Sequence, residues 1–214
     1  VENFDPKIKH KNDICLFTSD VLCNAAAVYT QNKVKGAPIL VTKANLEKSG
    51  NKAIAVIANS KNANTCNADG VEKADKMCEL VANELNIPKE QVIVASTGVI
   101  GQVLPIEPIE KAVPVLVKEL DYGKNEEAST AIMTTDTIKK EYAVEFEIGG
   151  VKCTLGGMAK GSGMIHPNMA TTLNFITSDC AVSSNMLQKA LSEIVKVTYN
   201  CLSVDGDTST NDMV

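Results

Sequence analysis

The sequence predicts an α+β fold, a layered sandwich with helices packed on sheets, and three observations point to it. Strand-like segments come in runs without strict βαβ alternation. The Gly149-Gly150 pair sits between two alternating segments, as in a hairpin. Two stretches, 70–86 and 187–195, carry apolar residues at helical spacing. No internal repeat or low-complexity linker divides the 214 residues, so one domain over 1–214 is expected.

Taken in order, segments 13–18 (DICLFT), 22–30 (LCNAAAVYT) and 53–58 (AIAVIA) are short, apolar and bounded by Asn, Asp, Ser or Gly, which predicts strands. Val71, Ala74, Cys78, Val81 and Leu85 form one helical stripe over 70–86, and Ile87-Pro88 follows where a helix should stop. A strand over 90–96 (EQVIVAS) runs into a turn at Thr97-Gly98. Prolines 105, 108 and 114 punctuate a helical pattern over 105–120, predicting a helix with an irregular start, and 126–134 reads as a second short helix. Residues 138–148 and 151–159 alternate on either side of the Gly-Gly turn. A strand LNFIT over 173–177 follows, and Leu187, Ala190, Leu191, Ile194 and Val195 mark a last amphipathic helix.

Composition narrows the function. At 44% hydrophobic the chain can bury a sizeable core. With 26 acidic and 21 basic residues, a net charge of -5 and a pI near 5.2, it lacks the basic surface that tracks nucleic acid. Every basic residue is Lys, so no guanidinium can clamp a carboxylate bidentately. Trp is absent and aromatics make up 4%, which disfavours base-stacking platforms. Seven scattered cysteines with no CxxC read as reduced, mostly buried thiols, not as a disulfide framework or zinc site. With His10 and His166 the only histidines, no metal centre is expected. The first residues contain no apolar signal core, and no stretch approaches the ~18 apolar residues of a membrane span. A soluble, cytoplasmic protein without a membrane partner is the expectation. The start at Val1 and the end at STNDMV suggest a chain incomplete at both ends.

The most unusual segment is 156–179, GGMAKGSGMIHPNMATTLNFITSD, a long glycine-rich run that feeds a strand. Ordering such a run costs conformational entropy, and function is the usual compensation. A Thr that opens a strand after a small residue can attack its own preceding carbonyl. The acyl group shifts from N to O and water hydrolyses the ester. At Ala170-Thr171 this would free an α-amine whose reference pKa of about 8 suits it to act as base for its own hydroxyl. On chemistry alone, a Thr-Thr pair is far more often an ordinary strand start.

This segment resembles the processing site of the ornithine acetyltransferases (glutamate N-acetyltransferases), in which cleavage falls between Ala and Thr. NSKNANTCNADG at 59–70, ASTGVIGQ at 95–102, MTTDT at 133–137 and the closing SVDGDTSTNDM match the same family in the same order, and APILVT at 37–42 is also similar. The resemblance covers nearly the whole chain. It implies an α+β sandwich of the N-terminal-nucleophile type, with helices outside stacked mixed sheets. It also implies self-cleavage into an α-chain portion, 1–170, and the start of a β-chain portion, 171–214.

The same resemblance makes Thr171 the nucleophile that carries the acetyl group as an ester, and Thr97 and Gly98 the oxyanion hole. Lys160 and Thr134 become substrate contacts, with Thr135 and Thr137 close enough to leave that register open. Read without it, Thr97-Gly98 is a strand-end turn, Lys160 a solvated loop charge and TTDT a cap or turn. His166, five residues before Thr171, invites a general-base role. The new amine already fills that role, and a lone loop His is more often structural.

The implied reaction is a ping-pong transfer from N-acetylornithine to glutamate without metal or organic cofactor, with acetyl-CoA accepted as donor by some members. The two chains would remain together and pair into α2β2 or larger assemblies. Two alternatives stay open: an amidohydrolase or aminopeptidase with the same Thr nucleophile, and an inactive fragment that binds amino acids. Position 61 departs from the family pattern, with Lys where a Gly is usual. The family chain is also about twice as long, its later half supplying further substrate contacts.

Overall fold

A computed structural model describes residues 12–167 and 172–214. Two three-stranded sheets face each other. The first has the order β1-β2-β3, formed by Ile14–Asn24, Lys52–Asn59 and Val92–Ser96, with β1 antiparallel and β3 parallel to β2. The second is the antiparallel meander β4-β5-β6, formed by Lys140–Ile148, Val151–Lys160 and Leu173–Ser178.

Strand alternation decides what each face meets. Leu16, Ala55, Ile57, Val92 and Val94 point to one side of the first sheet, where three helices cover them: α1 (Ala37–Lys48), α2 (Gly70–Leu85) and α3 (Glu107–Lys118). Cys15, Ala58 and Ala95 point to the other side and meet Leu173 and Phe175 of β6, with Ala131 of α4 (Asn125–Ala131) and Ile132 closing the same cluster. Phe17 and Phe175 meet edge-on across the two sheets at 4.9 Å between ring centroids. The expected α+β layering with helices outside stacked sheets is therefore the architecture, with one mixed and one antiparallel sheet.

Most expected elements are present, with differences that have physical causes. The strands expected at 13–18 and 22–30 are a single β1, irregular between Thr18 and Cys23, and beyond Asn24 only Tyr29 bridges, to Met213. Residues 89–91 of the expected strand 90–96 form a 3-10 turn, and β3 begins at Val92. In α2, Val71 of the expected stripe is exposed, whereas Met77 and Ala82 are buried beside Ala74, Cys78 and Val81. The Gly149-Gly150 turn joins β4 to β5 with φ of 58° and 81°, the left-handed pair that glycines adopt without steric cost. The last helix, α5 (Ser184–Val197), is capped by the Ser183 side chain, which accepts from the Met186 N–H. Of its apolar stripe only Val195 is buried.

Helix α1 has no counterpart among the expected elements. Pro38 opens it, and its buried positions include polar residues that serve the sheet edge. Thr42 Oγ1 donates to Val94 O at 2.7 Å and accepts from Val94 N at 3.0 Å, while Asn45 Nδ2 donates to Val92 O at 3.0 Å. Two helical side chains thus satisfy the edge of β3, which would otherwise bury unpaired backbone groups. Because Thr42 and Asn45 interrupt the apolar face, the helix lacks the stripe that marks α2.

The seven cysteines are free, with Cys15, Cys78 and Cys153 buried and Cys66 and Cys201 exposed. Burial pushes the thiols of Cys15 and Cys78 up to about 12, so both behave as small apolar core residues. Among the described residues, no helix is long and apolar enough to cross a membrane.

Candidate functional site

Three of the residues singled out in the sequence converge where the ends of β3 and β5 meet. Lys160, the last residue of β5, is 4% exposed, so it is a buried strand-end cation and not the solvated loop charge that its glycine-rich neighbourhood suggested. Its Nζ donates to Thr97 Oγ1 at 2.8 Å and to Thr134 Oγ1 at 3.2 Å. Taking an ammonium out of water costs several kcal/mol unless acceptors replace the lost hydration, and two threonine hydroxyls do part of that here.

The three threonines of MTTDT separate in space. Thr134 meets Lys160, Thr135 pairs with the Ser162 hydroxyl, and Thr137 is exposed. Asp136 holds this arrangement. It accepts from Gly161 N at 2.8 Å, Lys140 Nζ at 2.6 Å and Thr134 N at 3.3 Å, tying the 134–136 turn to the end of β5. Burial alone would raise its carboxyl, but Lys140 and the two N–H donors outweigh it and hold the group below the usual range.

Thr97 and Gly98 lie on a turn whose shape is dictated by a second loop. Thr97 N donates to Asn59 O, and Val99 N donates to Lys61 O, each at 2.9 Å. Between them Gly98 has φ of 131° and lies against the Lys61 backbone, where an added Cβ would come within 2.1 Å of the carbonyl carbon. Only glycine fits there. Among the described residues, no acceptor meets the Gly98 N–H. Thr97 Oγ1 accepts from the ammonium, so its own hydroxyl hydrogen is free to turn toward another acceptor.

Lys61 itself has φ of 72°, the left-handed region in which a Gly would be unstrained. Its Nζ pairs with Asp13 Oδ2 at 2.9 Å, and the Asp13 side chain is 6% exposed. Glycine at 61 would relieve about 1 kcal/mol of backbone strain but would take the ammonium from a buried carboxylate, a larger loss. Lys61→Gly is therefore expected to destabilise the fold by about 1–2 kcal/mol in chemical denaturation. Asp13→Asn in the Lys61→Gly background should recover most of it. A more stable single variant would show that strain outweighs the ion pair.

The closing segment, 209–214, completes the region. Thr30 N donates to Asp212 O, Met213 N to Thr172 O and Asn174 N to Met213 O at 3.0–3.1 Å, so the segment lies between residues 28–30 and the start of β6. Asn211 is buried beneath the turn, its Nδ2 donating to Ala63 O at 2.6 Å and Ser96 O at 3.0 Å while Thr65 and Thr210 hydroxyls donate to its Oδ1. Asp212 is 1% exposed, and among the described residues neither of its carboxylate oxygens has a hydrogen-bond partner. Burial pushes this carboxyl up to about 7 against the opposing pull of the Ser209 hydroxyl, the Lys160 ammonium and the Thr172 N–H.

Ala170 and Thr171 lie outside the described residues. Thr172, the next residue, is buried, and Leu173 pairs with Lys160 in the β5–β6 ladder. His166 is exposed. The loop that carries it is anchored by Asp205, which accepts from Met164 N at 2.6 Å and Ile165 N at 2.9 Å. A concavity of about 1470 Å³ between β1, α3, α4 and β4–β5 is lined by none of Thr97, Gly98, Thr134 and Lys160.

The family model described as the ArgJ family matches residues 1–214. The chain belongs to the ArgJ family. It is 50% identical over 212 residues to the arginine biosynthesis bifunctional protein ArgJ 1 of Clostridium acetobutylicum, an alignment covering 97% of this chain and 50% of that protein. To the ArgJ of Listeria monocytogenes it is 49% identical over 207 residues, 96% of this chain and 51% of the relative. The chain thus spans about half the length of these curated relatives.

Among solved structures, the ArgJ of Bacillus halodurans superposes with a TM-score of 0.69 at 38% identity, covering 77% of this chain and 86% of that one. The ornithine acetyltransferase of Mycobacterium tuberculosis complexed with ornithine superposes with a TM-score of 0.63 at 31% identity, covering 75% and 84%. Both likenesses place the fold with the N-terminal-nucleophile type of sandwich seen in ArgJ structures.

The motifs by themselves assign no role to Asp136, Asp205, Asn211 or Asp212. Each lies in or beside a motif block already recognised as unusual, yet the hydrogen-bond partners of Asp136, Asp205 and Asn211 lie as far as 25, 41 and 148 positions away. That the closing block SVDGDTSTNDM contains polar residues with no loop-like reason to be apolar-shielded was the available signal.

Proposed function

We propose that this chain forms part of an acetyltransferase that moves the acetyl group of N-acetylornithine to glutamate by a ping-pong route through an ester on Thr171, after self-cleavage between Ala170 and Thr171. The observation that carries the proposal is the junction of Thr97, Thr134 and Lys160 beside the start of β6, the strand that Thr171 precedes. A tetrahedral intermediate on Thr171 would place negative charge where the Thr97 hydroxyl and the Gly98 N–H are available as donors. Lys160 sets the Thr97 hydroxyl, and with Thr134 it offers a cation and a hydroxyl to the carboxylate of an amino-acid substrate.

Family membership and the substrate-bound relative support transfer over hydrolysis. The two cleavage products would stay associated, since the β5–β6 ladder and the bonds between 28–30 and 212–214 join the two sides of the scissile bond. Acetyl-CoA as an alternative donor is a further step of the same acyl-enzyme chemistry.

The deciding experiment supplies full-length protein with N-acetylornithine, with and without glutamate. Transfer predicts N-acetylglutamate formed in step with ornithine and almost no free acetate. Acetate release at the same rate without glutamate would instead favour the amidohydrolase reading.

A further inference from the structure

We propose that Asn211 is a positioning residue for the oxyanion turn, its side-chain amide setting Thr97-Gly98 from beneath; the proposal rests on the acetyl-transfer reading above. An oxyanion site works by holding its donors in place before charge develops, so a group that fixes their direction contributes to rate.

The bonds on either side of Gly98 carry the proposal. The peptide between Ser96 and Thr97 is held at both ends, its carbonyl accepting from Asn211 Nδ2 at 3.0 Å and its N–H donating to Asn59 O at 2.9 Å. The next peptide bears the Gly98 N–H, so its direction starts from that fixed plane. Beyond Gly98, Val99 O accepts from Ala63 N at 2.9 Å, and Ala63 O accepts from the same Asn211 Nδ2 at 2.6 Å. One amide therefore grips the chain before Gly98 directly and after it through Ala63.

Asparagine suits these neighbours because they demand donors on one side and an acceptor on the other. Two carbonyls, which can only accept, face Nδ2, and the Thr65 and Thr210 hydroxyls donate to Oδ1, each at 2.6 Å. At 6% exposure those bonds leave the amide a single orientation. Gly36 closes the remaining side, where an added Cβ would lie 2.5–2.7 Å from the amide atoms. Asn211 is 115 positions from Ser96, and on the proposed cleavage the two would fall in different products, so the later product would hold the turn of the earlier one.

Asn211→Asp tests this, because it keeps the shape and the oxygen that the hydroxyls meet but turns an acceptor toward two carbonyls. In full-length protein, self-cleavage should slow, and kcat of the processed enzyme should fall on the order of 10²-fold with KM within about threefold. Adding Thr97→Ala should then cost about tenfold less than in the wild type, since the hydroxyl it deletes is already misplaced. Wild-type kcat, a change confined to KM, or the full cost of Thr97→Ala in both backgrounds overturns the proposal and leaves the proposed function standing. Wild-type protein that neither cleaves nor transfers overturns both. Should Asn211→Asp fail to fold, Thr65→Val decides. It removes one of the hydroxyls that orient the amide, and kcat should fall about threefold to tenfold with KM unchanged. Wild-type kcat in that variant overturns the proposal.

Discussion

Full-length protein carrying Thr171→Ala is expected to emerge as one uncleaved polypeptide with no measurable transfer, a loss on the order of 10⁴-fold or more. The size follows from the two tasks given to one residue. In the proposed mechanism its hydroxyl would attack first the Ala170 carbonyl and later the substrate's acetyl group, and its freed amine would be the base for the second attack. Alanine deletes the hydroxyl, so on that mechanism cleavage should stop, and without cleavage no amine would be made. Intact mass spectrometry of wild type and variant reads the outcome directly. Two fragments divided between 170 and 171 should appear only in the wild type, whereas a Thr171→Ala protein still cut at that bond would remove Thr171 from the nucleophile's place. Thr171→Ser, which keeps a hydroxyl, should retain processing.

Thr97→Ala should slow acetyl transfer about 10²–10³-fold, chiefly in kcat, with the fold intact. The hydroxyl is 2.8 Å from Lys160 Nζ, and an oxygen that accepts from an ammonium keeps its own hydrogen for the developing oxyanion. Alanine removes that donor and also a hydroxyl acceptor of a cation that is 4% exposed. Thr97 is itself buried, and its backbone N–H bond to Asn59 O survives the change, so the turn that presents Gly98 should persist. Self-cleavage should slow as well, because its intermediate carries the same charge. Single-turnover acetylation measured beside Thr97→Ser tests the assignment, and unchanged turnover in Thr97→Ala would remove Thr97 from the oxyanion site.

How far the sequence carried can be judged element by element. Helix α2 and the β4–β5 hairpin were legible because their information is local: an apolar residue every third or fourth position, and a Gly-Gly pair between alternating runs. Helix α1 was not, because Thr42 and Asn45 are buried for the sake of an edge strand that comes some fifty positions later in the chain. The strand expected over 22–30 stops at Asn24 for a related reason. Its apolar residues are real, yet beyond Asn24 the partners are Asn51 O at Ala25, the Gln188 side chain of α5 at Ala27 and the 212–214 segment at Val28 and Thr30, not a neighbouring strand.

At the candidate site the division is similar. Thr97, Gly98, Thr134 and Lys160 came from motif blocks, and three of them prove to be joined through a single ammonium. Lys160 read as a loop charge because glycines precede and follow it, and only the β5–β6 ladder shows that it ends a strand and points inward. Lys61 read as a departure of uncertain consequence. Its left-handed backbone and its pairing with Asp13 explain how the loop keeps its shape without the usual glycine.

The sequence by itself determined the family, the fold class and the residue types capable of acyl chemistry, since each rests on motifs or periodicities contained within a few tens of residues. Only the tertiary structure decided which of those groups meet. It chose Thr134 over its neighbours, buried Lys160 between two hydroxyls, pressed Gly98 against the Lys61 backbone and threaded 209–214 beneath the turn. It also left the Asp212 carboxylate buried and unsatisfied among the described residues. The physical reason is that burial and proton affinity depend on distances of a few ångströms between segments far apart in the chain, and no local pattern encodes those distances.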